Sequence, residues 1–346
     1  MAKRIKYLDI AKGFAIIAVV FYHTRYLPFQ NITLPLITSW MLPIFAVIGG
    51  LLFKHDSKER FLTFTLRKFK QLIIPYLLFG GISFLIWLLI RDSYHGKYIS
   101  DSVSNSFLGL LVGKSLVFNG PLWFLPCYFL TVVFVRTIKS FLSHSLKAQL
   151  IAALALFIIS YAIALLVRDK YFYTVQAVPI FSFFYLVGVI LRKAQDFLLK
   201  SWGAVLLSLI FFVPISLTNG VVDIYGGLYG NFFLYAISAV LGSYIALFAS
   251  RTIEQYSKKL TQFFLFYGGS SMTVLAVHFP LMQYATIVTS KTSLFSYAHG
   301  VPNLTSFDIS FTNGRIFFLF GLGMFLFYST VALAGSYLVI RLSKKL

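Results

Sequence analysis

Two histidines in this sequence lie inside long apolar segments, where ionisable side chains are costly and therefore rare. His23 falls near the end of the first apolar segment, and His278 lies well inside a later one. Histidine exchanges a proton near neutral pH more readily than any other unperturbed side chain, so either residue could act as a general acid or base. A buried histidine can also be purely structural, and each residue alone leaves both interpretations open.

The two histidines are expected to lie at similar depths in the membrane. At a rise of 1.5 Å per residue, His23 lies about 22 Å along a helix that starts at Leu8, and His278 about 20 Å along one that starts at Leu265. No apolar segment carries an Asp or Glu deep inside it, which argues against a carboxylate-based proton relay. The matched depth favours a functional role for the pair.

A cluster of cations stands at the start of the third apolar segment, formed by Arg67, Lys68 and Lys70. Arg67 and Lys70 are three residues apart, so they face the same side of a helix. Clustered cations bind phosphate well, which predicts a site for a phosphate-bearing ligand. A solvated, basic helix end would explain the charge equally well.

Four other features bear on the chemistry. Asp9 and Lys12 are three residues apart and can pair, either as an anchor of the first helix or as part of a site. Arg25, two residues after His23, could stabilise a developing negative charge or cap the helix.

The single cysteine, Cys127, excludes an intrachain disulfide framework and a thiolate metal cluster, and no metal site is predicted. The sequence contains no nucleotide-binding fingerprint, which argues against an ATP-driven pump.

The elements that must position these residues are apolar helices. Of the 346 residues, 59% are hydrophobic and 12% charged, and the mean hydropathy is +0.83. A soluble domain needs more polar surface than this, and about 20 apolar residues suffice to span a bilayer. The sequence predicts an all-α, polytopic membrane protein, one domain over residues 1–346 with about ten transmembrane helices. The predicted spans are 8–27, 34–53, 71–90, 121–138, 149–167, 174–191, 203–219, 232–250, 265–289 and 316–340.

The positive charge follows this topology. The net charge is +20, and most Lys and Arg residues fall in the segments that share a side of the membrane with the N-terminus. The positive-inside rule then predicts that both termini and the basic loops are cytosolic. Topology alone explains the charge, and no nucleic-acid partner is predicted.

Several sequence marks occur in order along most of the chain. They are Tyr7–Ile17 with Phe21–His23, Ile44–Phe53, Arg67–Tyr76, Gly120–Pro126, and Tyr267–Met272 leading to His278. With these marks the chain resembles the acyltransferase family 3 membrane O-acyltransferases, and in particular their fucose 4-O-acetylase-like branch. Members of that family have ten transmembrane helices and move an acyl group, usually acetyl from cytosolic acetyl-CoA, to a hydroxyl of an extracytoplasmic or lipid-linked glycan.

The resemblance implies roles for particular residues. His23 matches the proposed catalytic histidine, acting as general base or acyl carrier. Arg67, with Lys68 and Lys70, matches a basic motif associated with the acyl-CoA donor, although Lys70 stands where Arg is usual and lacks its bidentate fork. Trp123 belongs to a motif near the outer face, where it could stack on a sugar or anchor the helix at the interface. His278 and Arg25 are expected to contribute to the acceptor site.

The implied partners are acetyl-CoA, a surface polysaccharide or lipid-linked glycan, the lipids of the plasma membrane and polysaccharide-synthesis machinery. Because the chain ends six residues after its last predicted span, it is expected to act alone or with a separate partner. Two other classes remain open: a glycan or small-molecule transporter, and a non-catalytic partner of a polysaccharide synthase. Paired, interrupted helices would favour the transporter, and a dispensable His23 would favour the non-catalytic partner.

Overall fold

The computed structural model describes residues 5–24, 26–53, 59–91, 102–114, 116, 118–141, 145–167, 171–290 and 314–344. Over these residues the chain is helical, apart from turns, two short 3₁₀ helices and two isolated β-bridges. The 3₁₀ helices are Gly120–Trp123 and Phe172–Ala177. The α-helices are α1 (Lys6–His23), α2 (Gln30–Thr38), α3 (Pro43–Leu52), α4 (Phe61–Ile90), α5 (Val103–Leu111), α6 (Phe124–Phe141), α7 (Leu146–Leu166), α8 (Val178–Leu191), α9 (Gln195–Leu198), α10 (Trp202–Asn219), α11 (Phe232–Tyr256), α12 (Lys258–Gly269), α13 (Ser271–Ser290) and α14 (Gly314–Ser343).

Nine helical segments within the described ranges are long and apolar enough to cross a membrane. They are Gln30–Leu52, Phe61–Ile90, Gly120–Ser140, Leu146–Leu166, Phe172–Leu191, Trp202–Asn219, Phe232–Tyr256, Ser271–Val288 and Leu322–Ser343. These segments overlap the second to the tenth predicted spans, which confirms an all-helical, multi-pass membrane protein. The count of ten and the orientation of the termini stay predictions.

The first predicted span, α1, differs from the others in composition and in position. It carries Lys6, Asp9 and Lys12 in its first two turns, so apolar content alone does not mark it as a span. From Tyr7 to Val20 it is buried, apart from two half-buried positions, and it packs against α3, α11, α12, α13 and α14. Because protein rather than lipid surrounds α1, and Lys12 Nζ lies 3.1 Å from Asp9 Oδ1, its charges cost less than they would in lipid.

The outer helices present apolar side chains to their surroundings. In α7 and α10, most of the apolar segment is exposed on the surface of the bundle. Leu166 and Ile210, for example, are 80% and 66% exposed. Such a surface would be unfavourable in water but suits a lipid solvent, since both helices satisfy their backbone hydrogen bonds internally.

Two predicted spans are interrupted in the structure. In the span 34–53, α2 ends at Thr38 and α3 begins at Pro43, with a turn between them. Pro43 has no N–H to continue a preceding helix, but its fixed φ suits the first turn of a new one. In the span 265–289, the non-helical backbone of Ser270 separates α12 from α13.

Glycines allow two pairs of helices to approach closely. A Cβ on Gly268 of α12 would collide with the backbone of α1, and one on Gly13 of α1 would collide with the backbone of α12. Gly50 of α3 and Gly188 of α8 stand in the same reciprocal relation. These contacts hold α1 against α12 and α3 against α8, and so fix the walls of the cavities described below.

Candidate active site

The structure brings His23 and His278 together. His23 is the last residue of α1, and His278 lies within α13. Their ring centroids are 5.3 Å apart, and the ring of Phe279 packs on His23 at 5.4 Å. His23 is half-buried, whereas His278 is fully buried.

One hydrogen bond determines which nitrogen of His278 carries the proton. Nδ1 lies 2.8 Å from the backbone oxygen of Val274, which can only accept. Nδ1 therefore carries the hydrogen, and Nε2 presents a lone pair. Nε2 is buried with no hydrogen-bond partner among the described residues. An imidazole held in this way can accept a proton at Nε2 or receive a hydrogen bond there.

A proline and an asparagine fix the helix that carries His278. Pro280 has no N–H, so it cannot bond the carbonyl of Ala276 four residues earlier in α13. Nδ2 of Asn119, a fully buried residue, donates to that carbonyl at 2.7 Å and to Oγ of Ser83 at 3.0 Å. The carbonyl released by the proline is thus satisfied from outside the helix. Asn119 thereby ties α4 and α13 together beside the histidines.

His23 lines a cavity of about 730 Å³, which we call the histidine cavity. Its walls are aromatic and apolar with a few polar groups. Its aromatic and polar lining residues include Tyr22, His23, Tyr26, Gln30, Trp123, Asp223 and Tyr225. The ring of Trp123 lies 5.4 Å from that of Tyr225. His278 is not among the lining residues, so it stands behind His23.

A larger cavity of about 1470 Å³ occupies the opposite end of the bundle, where α1 and α4 begin. We call it the basic cavity, because its charged lining residues within the described ranges include five cations, with two carboxylates. They are Lys6, Lys12, Arg67, Lys68, Arg251, Glu59 and Glu254. The basic cavity thus contains two of the three residues of the predicted cluster, Arg67 and Lys68. Lys70 is exposed and is not among its lining residues.

Arg67 is held by a carboxylate within the cavity. Its guanidinium makes three hydrogen bonds of 2.9–3.1 Å to the two oxygens of Glu59. Arg136 donates to the backbone oxygen of Glu59 at 3.0 Å, and both arginines lie over the ring of Phe64. A phosphate bound by Arg67 would have to displace or share this carboxylate. Since Lys68 and Lys12 also line the cavity, the site keeps further positive charge.

The two cavities meet inside the bundle. Four residues line both of them, and they come from different parts of the fold: Val19, Leu42, Phe124 and Leu275. All four are apolar, and no charged residue lines both cavities within the described ranges. This junction lies one turn before His23 on α1. These four apolar side chains are therefore the part of the wall that the two cavities have in common.

Of the other residues predicted from the sequence, Trp123 lines the histidine cavity, whereas Arg25 lies outside the described residues. Cys127 is a fully buried thiol.

Sequence reasoning did not name Asp223 and Tyr225 as site residues. A signal for them was present, because they follow Gly220 in a loop that is polar and aromatic between two apolar helices.

Comparison with known protein families gives a match. A family model described as an acyltransferase domain, that of acyltransferase family 3, matches residues 5–341, which is nearly the whole chain. The match includes both cavities and their junction. No curated protein and no solved structure matches the chain.

Proposed function

The chain belongs to acyltransferase family 3, and on this premise we propose that it moves an acetyl group from acetyl-CoA in the basic cavity to a glycan hydroxyl in the histidine cavity. The observation that carries the proposal is the junction of the two cavities, with His23 on its far side. A membrane acyltransferase needs one site for a charged donor and another for its acceptor. It also needs an uncharged path along which the acyl group passes.

The donor site is supported by charge and shape. Coenzyme A carries a diphosphate and a ribose 3′-phosphate, and the cations of the basic cavity suit both. Its pantetheine arm is uncharged, which suits the apolar residues of the junction. Lys12, Arg67 and Lys68 line the same cavity as one side of that junction. The family relation establishes an acyltransferase, and acetyl-CoA as the donor is our proposal.

The acceptor site is supported by the lining of the histidine cavity. Tyr22, Trp123 and Tyr225 offer aromatic faces, while Gln30 and Asp223 offer hydrogen-bonding groups. Sugars present apolar C–H faces and a rim of hydroxyls, so this combination favours a carbohydrate. We propose a surface or lipid-linked glycan of the kind that a fucose 4-O-acetylase-like enzyme would modify.

His23 then supplies the proton chemistry. As the acceptor oxygen attacks the thioester carbonyl carbon, His23 takes the proton of the hydroxyl. The C–O bond forms, the C–S bond breaks, and the thiolate of coenzyme A leaves and receives the proton from His23. His278, which lies behind His23 with its own tautomer fixed, orients the catalytic ring and stabilises it when charged.

The orientation follows from the charges. We propose that the basic cavity opens to the cytosol, where acetyl-CoA is found, and that the histidine cavity opens to the outer side of the plasma membrane. Two cavities at opposite ends would also suit a transporter, which would carry the acceptor rather than modify it. The family relation favours the acyltransferase, in which His23 accepts the proton of the acceptor hydroxyl.

The test is acetyl transfer by the purified, full-length protein. Protein in lipid nanodiscs would receive acetyl-CoA labelled in the acetyl group and a lipid-linked glycan extract from the host. His23→Gln keeps a polar side chain but cannot act as a base, so the rate should fall by roughly 10²–10⁴-fold. The variant should bind acetyl-CoA as the natural protein does, because His23 does not line the basic cavity. Transfer at the natural rate by His23→Gln would refute the role of His23, and no transfer by the natural protein would refute the acetyltransferase and favour a transporter.

A further inference from the structure

A second cationic group lies in the basic cavity, on a different helix from Arg67. Arg251, near the end of α11, and Tyr7, at the start of α1, both line the cavity. The guanidinium of Arg251 lies over the ring of Tyr7 at 5.7 Å. The hydroxyl of Tyr7 donates to Oε1 of Gln195 at 3.0 Å, which fixes the ring. The pair therefore forms a defined surface in the wall of the cavity.

This surface lies in a different part of the cavity wall from the cations on α4. Lys68 lies near Arg67, Glu59 and Lys12, whereas Tyr7 lies near Arg251, Asp196 and Glu254. The separation reflects the packing, because α11 packs on α1, while α4 packs on α6 and α13. The basic cavity thus presents cations on two different walls.

Arg251 has an N–H group that is not hydrogen-bonded among the described residues, whereas Nε and Nη2 of Arg67 already donate to Glu59. Arg67 is bound by both oxygens of Glu59. Among the described residues, the carboxylate within 4 Å of Arg251 is that of Asp196, at 3.8 Å. The Asp196 side chain is 80% exposed, and such a pair is weak. Nε of Arg251 is buried without a hydrogen-bond partner among the described residues. An arginine of this kind is suited to a bound anion.

We propose that Arg251 and Tyr7 form a subsite for the ribose 3′-phosphate of the coenzyme A donor, an inference that rests on the proposed function. Lys12 lies five residues further along α1 than Tyr7, about 7.5 Å nearer the junction. The centre formed by Lys12, Arg67 and Lys68 therefore receives the diphosphate, from which the pantetheine arm leads to His23. Arg251 then binds the ribose 3′-phosphate, at the end of the donor opposite to the acetyl group.

The experiment compares coenzyme A with dephospho-coenzyme A, which lacks only the 3′-phosphate. Calorimetry on the purified protein in nanodiscs would measure both dissociation constants. A charged hydrogen bond contributes roughly a factor of 10 to 100, so the natural protein should prefer coenzyme A by at least about tenfold. Arg251→Gln should abolish this preference and leave the affinity for dephospho-coenzyme A unchanged.

Two variants serve as controls. Arg341→Gln also removes an arginine that lies over aromatic rings, but Arg341 is not among the residues that line the basic cavity, so the preference should persist. Arg67→Gln should weaken both ligands alike, because it removes a contact to the diphosphate that they share.

The results separate this inference from the proposed function. Binding of both ligands with equal affinity by the natural protein, or a preference that survives Arg251→Gln, would refute the subsite alone. Loss of the preference in Arg67→Gln would also refute it. Failure of the natural protein to bind either ligand would refute the donor itself and the subsite with it. If Arg251→Gln binds neither ligand, Arg251→Lys decides: a reduced preference supports the subsite, and an unchanged one contradicts it.

Discussion

At the scale of residues, His23 and His278 differ in what surrounds them. His23 lines the histidine cavity, so it can touch an acceptor. His278 is fully buried, lines neither cavity, and has its tautomer fixed by Val274. His23 is therefore the better placed of the two for the proposed proton transfer, and in this proposal His278 acts through it.

Asn119 helps to position α13 through its hydrogen bond to the carbonyl of Ala276. Replacing Asn119 by Leu keeps its approximate volume but removes the donor to the carbonyl of Ala276. A buried carbonyl without a partner costs about 1–3 kcal/mol, so the free energy of unfolding in detergent should fall by that amount. In a Pro280→Ala background the same substitution should cost less, since residue 280 then has an N–H for that carbonyl. An equal loss in both backgrounds would contradict this account of the asparagine.

The sequence could predict part of this site. Residue type and helical rise were enough to suggest that His23 and His278 lie at one depth, and they are neighbours in the structure. The tautomer of His278 depends on a backbone carbonyl, which has no signature in the sequence. Lys70 illustrates the opposite case, because helical spacing grouped it with Arg67, whereas it is exposed outside the cavity. Helical spacing predicts the direction in which a side chain points, but it does not predict whether a cavity, another helix or solvent lies there.

At the scale of elements, close helix contacts shape the cavities. α12 approaches α1 at Gly13 and Gly268, and α1 carries residues of both cavities and of the junction. The sequence predicted most spans because a run of apolar residues is a strong signal. The breaks at 39–42 and at Ser270 were not predicted, although small and polar residues surround Ser270 and Pro43 follows the first break. Small residues signal a close contact but do not identify the partner helix.

Gly268 tests the contact between α12 and α1. A methyl group there would collide with the backbone oxygen of Asp9, which no side-chain rotation can relieve. Gly268→Ala should therefore lower the free energy of unfolding by about 1–3 kcal/mol, as overpacking does. Gly203→Ala, in α10, is the matched control: a Cβ there meets no atom within 4 Å, so stability should stay the same or rise by up to about 1 kcal/mol. Thermal unfolding of both variants in one detergent measures the difference, and equal stability would contradict the packing described.

At the scale of the whole molecule, the bundle has two chemically different ends. Lys68 and Arg251, which were predicted to share one side of the membrane, line the same basic cavity. The loop 219–231, predicted to lie on the other side, contributes Asp223 and Tyr225 to the histidine cavity. The separation of the ends follows from hydropathy and charge, so the sequence could predict it. The junction combines side chains from distant segments, and only the packed structure reveals it.

The most direct test of the account is to separate donor and acceptor across a membrane. Sealed vesicles with a defined protein orientation would hold the host glycan extract on the side of the histidine cavity. Acetyl-CoA labelled in its acetyl group would be supplied on one side or the other, and alkali-labile label in the glycan would be counted. The account predicts labelled glycan only when acetyl-CoA is on the side of the basic cavity, and only background label with His23→Gln. Labelling that requires donor and acceptor on the same side, or that persists in His23→Gln, would contradict it.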